Sequence, residues 1–336
     1  MNEYIICLGG GAEQVELVKK IEAMNFKSIV VDKNLNCKAK KYSSIFINES
    51  THSPDKIINR LDNLKLKKIK SIVNRSSGYP VYTCAVLSEF LGLENLDPKI
   101  ASKVITKQGF RDELKKIDVN NVKTFVNYLD IKKYLSESDL VIKPSFGEVG
   151  KSSIKKISDI EDFDNAAKVA KNASQNGDII IEQFIDGFDY VCMGFVINSN
   201  FQCLAFLKEN NNFNNKGELE GNGFSFPEKT DLHIKEESLR IAKKLSKNLG
   251  IISSPFNLSL RHCSDSGKLF PVELHLDLSG DFIYEELLSK FAHFSLFENA
   301  IKCSFGDGVL LQEVFGNGML KINTIKEKRV GTYINE

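Results

Sequence analysis

The stretch Leu140-Val141-Ile142-Lys143-Pro144-Ser145-Phe146-Gly147-Glu148-Val149-Gly150-Lys151-Ser152-Ser153 runs an apolar segment into a lysine and then a polar loop. Leu140–Lys143 reads as a buried strand. Lys143 at its end, beside Ser145, Gly147, Gly150, Lys151 and Ser152, suits a triphosphate. The ammonium groups neutralise charge, and a glycine-bearing loop can close over phosphates and exclude water. The run Gly147–Ser152 is one residue short of a Walker-type loop and no helix clearly opens after it, so that reading is set aside. The plain alternative is a polar hairpin with a solvated lysine.

Downstream, Ile179-Ile180-Ile181-Glu182-Gln183-Phe184-Ile185-Asp186-Gly187 is an apolar strand entering a turn. Extended backbone can hydrogen-bond an adenine edge, and Phe184 and Ile185 can cover its faces. Asp189, just beyond, can accept from ribose hydroxyls. Further on, Pro271-Val272-Glu273-Leu274-His275-Leu276-Asp277 places Glu273, His275 and Asp277 on one strand face by the period of two. Three such groups suit Mg²⁺, although that ion prefers oxygen to imidazole. A strand with one solvated polar face is the alternative.

Upstream, strands at Tyr4–Leu8, Ser28–Asp32, Ile45–Ile47 and Ser71–Asn74 alternate with helices at Val15–Met24, Pro54–Leu64 and Val81–Leu91, which predicts a parallel sheet. Gly9-Gly10-Gly11 follows the first strand and Asp32 closes the second, a partial dinucleotide fingerprint with Gln14 at its third glycine position. An NAD-dependent enzyme is the reading that rests on it. Arg75 follows the fourth strand at the edge where open α/β sheets bind ligands, and a guanidinium grips a carboxylate bidentately.

A linker helix is expected at Ile100–Lys115, strands at Val122–Phe125 and Ile179–Glu182, and a helix near Asp159–Ala173. Then come strands at Tyr190–Ile197 and Gln202–Lys208, a mobile Asn-rich loop at Asn210–Asn215, and a helix at Lys235–Leu249. Strands at Phe256–Arg261 and Leu269–Leu276 precede a helix at about Tyr284–Ala300.

The 336 residues suffice for two or three domains; 42% are hydrophobic and 26% charged, with a formal net charge of +1. No basic stripe marks a nucleic-acid partner. No apolar run approaches the roughly 18 residues of a membrane span. The apolar start Tyr4–Leu8 is short for a signal peptide and lacks a basic lead. Seven dispersed cysteines without CxxC spacing read as reduced thiols. A cytoplasmic protein is expected.

Taken in order from Gly9 to about Ile301, these residues resemble the ATP-grasp superfamily, in its carboxylate–amine ligase, biotin carboxylase and carbamoyl-phosphate synthase branch. The resemblance implies a mixed α/β and α+β chain. A Rossmann-like domain occupies residues 1–97, a linker helix and lid subdomain 98–185, and an antiparallel-sheet subdomain 186–336. It implies ATP and Mg²⁺ (or Mn²⁺) as cofactors, with Lys107 and Lys143 as the nucleotide lysines and Ser145–Ser153 as the phosphate-covering loop. Glu182-Gln183-Phe184-Ile185 corresponds to the adenine hinge and Asp189 to the ribose acid. Gly10, Gly11 and Arg75 are the substrate-side candidates.

The metal site departs from the family pattern. Ser259 stands where a carboxylate or Gln is usual. The closing Glu-x-Asn-x-Arg reads Glu273-Leu274-His275-Leu276-Asp277. Asp277 is then expected as a replacement metal ligand beside Glu273 and His275, while Arg261 and Lys151 supply catalytic cationic charge. The implied activity is ATP-dependent activation of a small-molecule carboxylate and its transfer to an amine. A catalytically impaired nucleotide-binding relative is the reading that Ser259, His275 and Asp277 favour. A homodimer is expected from the prevalence of twofold assemblies.

Overall fold

The computed structural model describes residues 3–66, 68–147, 151–307, 311–325 and 328–334. Its first unit is β1 (Tyr4–Leu8), α1 (Gln14–Ala23), β2 (Lys27–Val31), β3 (Ile45–Ile47), α2 (Pro54–Leu64), β4 (Ile69–Asn74) and α3 (Tyr79–Leu91). The strands pair in parallel in the order β3-β2-β1-β4. Four-residue stretches such as Ile5–Leu8 and Ser28–Val31, apolar but for Ser28, are buried on both faces, as parallel strands require.

The expected single linker helix is two helices, α4 (Pro98–Val104) and α5 (Lys107–Leu114). Thr106 interrupts them because its hydroxyl accepts the Gly109 N–H and starts a new helix. A small antiparallel sheet follows, built from β5 (Thr124–Phe125), α6 (Tyr128–Leu135), β6 (Leu140–Pro144), β7 (Lys155–Ile157), α7 (Phe163–Ala173) and β8 (Ile179–Gln183), with strand order β5-β8-β6-β7. Phe125, Ile131, Leu140, Ile142, Ala170 and Ile181 belong to a core confined to this unit.

The third sheet has seven strands in the order β13-β12-β9-β10-β11-β14-β15. They are β9 (Gly187–Ile197), β10 (Asn200–Phe213), β11 (Leu219–Ser225), β12 (Ser254–Cys263), β13 (Leu269–His275), β14 (Met319–Ile325) and β15 (Lys328–Ile334), with α8 at Leu232–Asn248 and α9 at Leu296–Cys303. The Asn-rich stretch is not a mobile loop. It is the end of β10, and Asn214 closes the hairpin by accepting the N–H groups of Lys216 and Glu218. The helix expected at Tyr284–Ala300 is broken into a π-turn at Ile283–Leu287, a short 3₁₀ turn at Leu288–Lys290, and α9, which Ser295 caps.

The first and third sheets share their interior: Ile5, Cys7 and Val30 pack in one cluster with Val191, Met193 and Leu207. All seven cysteines are free thiols. No described helix is long and apolar enough to cross a membrane.

Candidate functional site

A cleft of about 490 Å³ opens between the small sheet and the seven-stranded sheet, and extends to the strand ends of the first. That volume fits a small-molecule ligand. Lys107, Lys143, Lys151, Arg261 and Arg75 all reach it.

Each of these cations has a carboxylate partner. Lys143, next to last in β6, donates from Nζ to Glu182 Oε2 on neighbouring β8, at 2.7 Å. Glu182 is 1% exposed, and its other oxygen is bound by Arg111 Nε from α5. Burial alone would raise the Glu182 pKa, but Lys143 and Arg111 outweigh it and hold it at about 2. Arg111 also donates to Pro271 O at 2.6 Å and Val272 O at 3.1 Å, which fixes β13 to α5. The Glu182 carboxylate is therefore an internal anchor for Lys143.

Lys107 opens α5, its backbone N–H bonded to Ser145 O at 2.8 Å. Ser145 is buried and joins the two lysines structurally without lining the cleft. Lys107 Nζ donates to Glu273 Oε1 at 2.9 Å. Lys151 Nζ donates to Glu209 Oε1 at 2.5 Å and Asn211 Oδ1 at 2.6 Å on β10. The segment after the loop docks on the same hairpin: Lys155 pairs with Glu218, and Lys156 N–H donates to Gly217 O at 2.8 Å. Gly147 lines the cleft. Gly150 and the Ser152 side chain lie outside the described residues.

At the hinge, the Gln183 and Phe184 amides donate to Lys123 O and Asp139 O. Gln183 Oε1 accepts from Lys123 N. Among the described residues the Ile185 N–H has no such backbone partner. The Phe184 ring meets Phe213 at 5.6 Å, and Lys156 Nζ lies 4.2 Å from its centroid. Arg261 was expected to supply charge to the transferred phosphoryl group. The structure places it at this hinge instead, with both Asp189 oxygens at 2.8 Å from Nη1 and Ile185 O at 2.5 Å from Nε. Asp189 stands opposite Arg261 across the β9–β12 ladder, which sets that pairing.

The three side chains expected on one metal do not converge. Among the described residues no three His, Cys, Asp or Glu groups are gathered to hold an ion. His275 Nε2 lies 3.6 Å from Glu273 Oε2. Burial disfavours its protonation, but Glu273 outweighs that and raises the His275 pKa to about 9. A protonated imidazole has no lone pair for a metal, so the pairing with Glu273 works against His275 as a metal ligand. Glu273 and His275 each keep 35% of the side chain open, so solvent screens the pair. Asp277 lies past the end of β13, its Oδ1 accepting from Ser77 Oγ at 3.2 Å.

Of the substrate-side candidates, Gly10 and Gly11 do not line the cleft. Gly10 N–H is held by Asp32 Oδ2 at 2.7 Å, and a side chain at Gly10 would meet Cys37 Sγ at 2.5 Å. The glycines allow tight packing, and Asp32, which a dinucleotide reading needs on a ribose, closes the turn. Arg75 reaches the cleft, but its guanidinium has no exposure and is bound bidentately by Glu285 at 2.6 and 2.9 Å. It also donates to Glu13 O and Ser279 O. Arg75 ties the first sheet to the third.

Arg111 and Asn257 are among the residues that escaped the sequence reading, with Glu13, Glu209 and Glu285. Arg111 looks like any helix-surface arginine until Glu182 meets it. Asn257 shares the β12 face of Ser259 and Arg261 by period-two spacing, a signal that was available. It faces His275 across the ladder and its Nδ2 donates to Asp277 O at 2.6 Å.

No protein-family model and no curated protein matches the chain. Solved structures do. N5-carboxyaminoimidazole synthetase from Staphylococcus aureus complexed with ADP is 15% identical, covers 96% of this chain and 82% of its own, and superposes with a TM-score of 0.74. L-amino acid ligase from Bacillus licheniformis is 16% identical over 90% of this chain and 74% of its own, with a TM-score of 0.72. The biotin carboxylase domain of the Hydrogenobacter thermophilus 2-oxoglutarate carboxylase, in complex with MgADP, ADP and bicarbonate, is 13% identical over 96% and 74%, with a TM-score of 0.75. At such identities the likeness establishes the three-sheet fold.

Proposed function

We propose that this chain, an ATP-grasp protein by its fold, is a ligase that activates a small-molecule carboxylate as an acyl phosphate and passes the acyl group to an amine. The observation that carries the reading is the convergence of Lys107, Lys143 and Lys151 from three different elements on one cleft, each held by an acid that a nucleotide can displace or share. Structural neighbours bound to ADP and MgADP support it.

Adenine would lie at Phe184 and Ile185, and ribose at Asp189. The phosphates would run past Lys143 and Lys107 toward Glu273. Mg²⁺ bound with nucleotide commonly uses one or two carboxylates plus phosphate oxygens and water, so the lone carboxylate of Glu273 fits it and a three-residue cage is unnecessary. That ion would neutralise phosphate charge. A substrate carboxylate oxygen attacks the γ-phosphorus, the bond to the β-phosphate oxygen breaks, and ADP leaves. An amine nitrogen then attacks the acyl carbon, a C–N bond forms, and the C–O bond to phosphate breaks. The amine proton leaves with the phosphate. The lysines position and neutralise; little covalent chemistry falls to the protein.

Ser259 opposite Glu273 supports a second reading, a nucleotide-binding relative without turnover, because it leaves one carboxylate where two would grip the ion more tightly. Calorimetry with ATP and Mg²⁺, followed by ADP release over a matrix of carboxylates and amines, tests both. Amine-dependent ADP release with amide product is expected. Binding without release on any pair favours the second reading, and absence of nucleotide binding overturns both.

A further inference from the structure

The end of the cleft away from the hinge has a charge the nucleotide does not explain. Asn257 and Arg261 are four residues apart on β12, so this end lies roughly 13 Å from the hinge arginine. Glu13, Arg75, Ser77, Asp277 and Asp281 line it. Arg75 is the one lysine or arginine among these cleft residues, and Glu285 holds it bidentately with no exposure. Its charge is already met by Glu285, and His275, which faces Asn257 across the ladder, is paired with Glu273, so a second carboxylate arriving here finds no unpaired lysine or arginine among these residues.

The acceptors, by contrast, are unmatched. Asp277 is 2% exposed and its Oδ2 has no hydrogen-bond partner; Asn257 is 3% exposed and its Oδ1 has none. Both residues line the cleft, and they are joined through the bond from Asn257 Nδ2 to Asp277 O. Two buried oxygens without donors carry a desolvation cost that a ligand rich in N–H groups removes. The Glu13 carboxylate lies against the backbone of Gly280, where a side chain would come within 2.7 Å of its Oε2. Burial raises the Glu13 pKa, the Asp281 and Glu285 charges add to the rise, and Arg75 and a hydrogen bond from the Asp281 backbone oppose it.

We infer that this end receives a primary ammonium group, and that the acceptor is a diamine or polyamine without a carboxylate beside its amine. One ammonium is held by Asp277 and the Asn257 carbonyl oxygen, with Glu13 adding negative charge at the same end of the cleft. The second amino group, deprotonated, faces the acyl phosphate and forms the C–N bond. A metal ion is a poorer fit to the same acceptors, since no three acidic or imidazole groups gather among the described residues. The role as acyl acceptor rests on the ligase reading; the ammonium site itself does not.

The test is calorimetry on the full chain with 1,4-diaminobutane and, as a length-matched opposite, succinate, each titrated with and without MgADP. Diaminobutane is expected to bind about tenfold or more tightly than succinate, and Glu13→Gln to weaken it by about fivefold or more while leaving ADP affinity unchanged. Tighter binding of succinate, binding of neither probe, or an unaltered diamine affinity in Glu13→Gln overturns the inference. Diamine binding in a protein that ignores ADP keeps the ammonium site and removes the ligase reading, so the two failures are separable.

Discussion

Lys107 Nζ stands 2.9 Å from Glu273 Oε1, joining the first turn of α5 to β13. In the proposed function nucleotide would take the lysine and the ion the acid, so the pair would be exchanged rather than simply broken. Glu273→Gln is expected to bind Mg²⁺-free ATP more tightly than the parent, because Lys107 is released. It is expected to lose the gain that Mg²⁺ gives the parent, about tenfold in affinity. Retained Mg²⁺ enhancement in this variant would remove Glu273 from the metal site.

Lys143→Ala and Arg261→Ala should fail differently. The first removes a phosphate cation and is expected to weaken ATP by about tenfold or more while sparing adenosine. The second frees Asp189 and Ile185 O at the hinge, and is expected to weaken adenosine and ATP alike. Competition with a fluorescent nucleotide reads both. Equal losses for adenosine in the two variants would contradict the order of subsites along the cleft.

Arg111→Met leaves Glu182 buried with Lys143 as its remaining cation. Removing one partner of a buried ion pair costs about 3–5 kcal/mol, and denaturant unfolding should show a loss of that order. A loss below about 1 kcal/mol would mean water reaches Glu182.

Asp277 is pushed up to about 6, chiefly by burial, with His275, Ser77 and Arg75 acting in the opposite direction. A carboxyl whose folded pKa lies above its unfolded value, near 3.9, stabilises the fold in its neutral form below that value; this contribution is lost as pH rises through about 6. The stability of Asp277→Asn relative to the parent should therefore rise by on the order of 2 kcal/mol between about pH 4 and pH 7.5. A pH-independent difference would place Asp277 in contact with water or a permanent cation.

Gly217 has φ of +69°, and a Cβ there would approach Lys156 O to 2.4 Å. Gly217→Ala should strain the turn and push the docked segment off the β10–β11 hairpin. Hydrogen exchange at the Lys156 amide, which donates to Gly217 O, is expected to quicken by about tenfold or more while β9 and β12 keep their protection. Unchanged exchange would show that Lys151 and Lys155 hold the segment unaided.

The parallel sheet was legible because its strands are short apolar runs separated by helical periods. The order of Lys143, the hinge strand and Glu273 was legible because each stands at or near a strand end. What escaped was pairing. Arg111 and Glu182 are 71 residues apart, and nothing local marks either as the other's partner. Arg75 has the sequence context of an anchor, yet Glu285 comes to it from 210 residues away. The Asn-rich run reads as loop because Asn disfavours strands, but the ladder to β11 overrides that weak preference. The π-turn at Ile283–Leu287 leaves the helical period nearly intact, so its break is invisible to spacing.

Phe125, Ile131, Leu140, Ile142, Ala170 and Ile181 give the small sheet an interior of its own, whereas Ile5 and Cys7 share theirs with Val191 and Met193. The segment from Thr124 to Gln183 thus carries its own apolar interior, and what an exchange would cut is polar: Glu182 from Arg111 and Lys155 from Glu218. Excision of the opening sheet would instead strip one wall from the centre of the molecule.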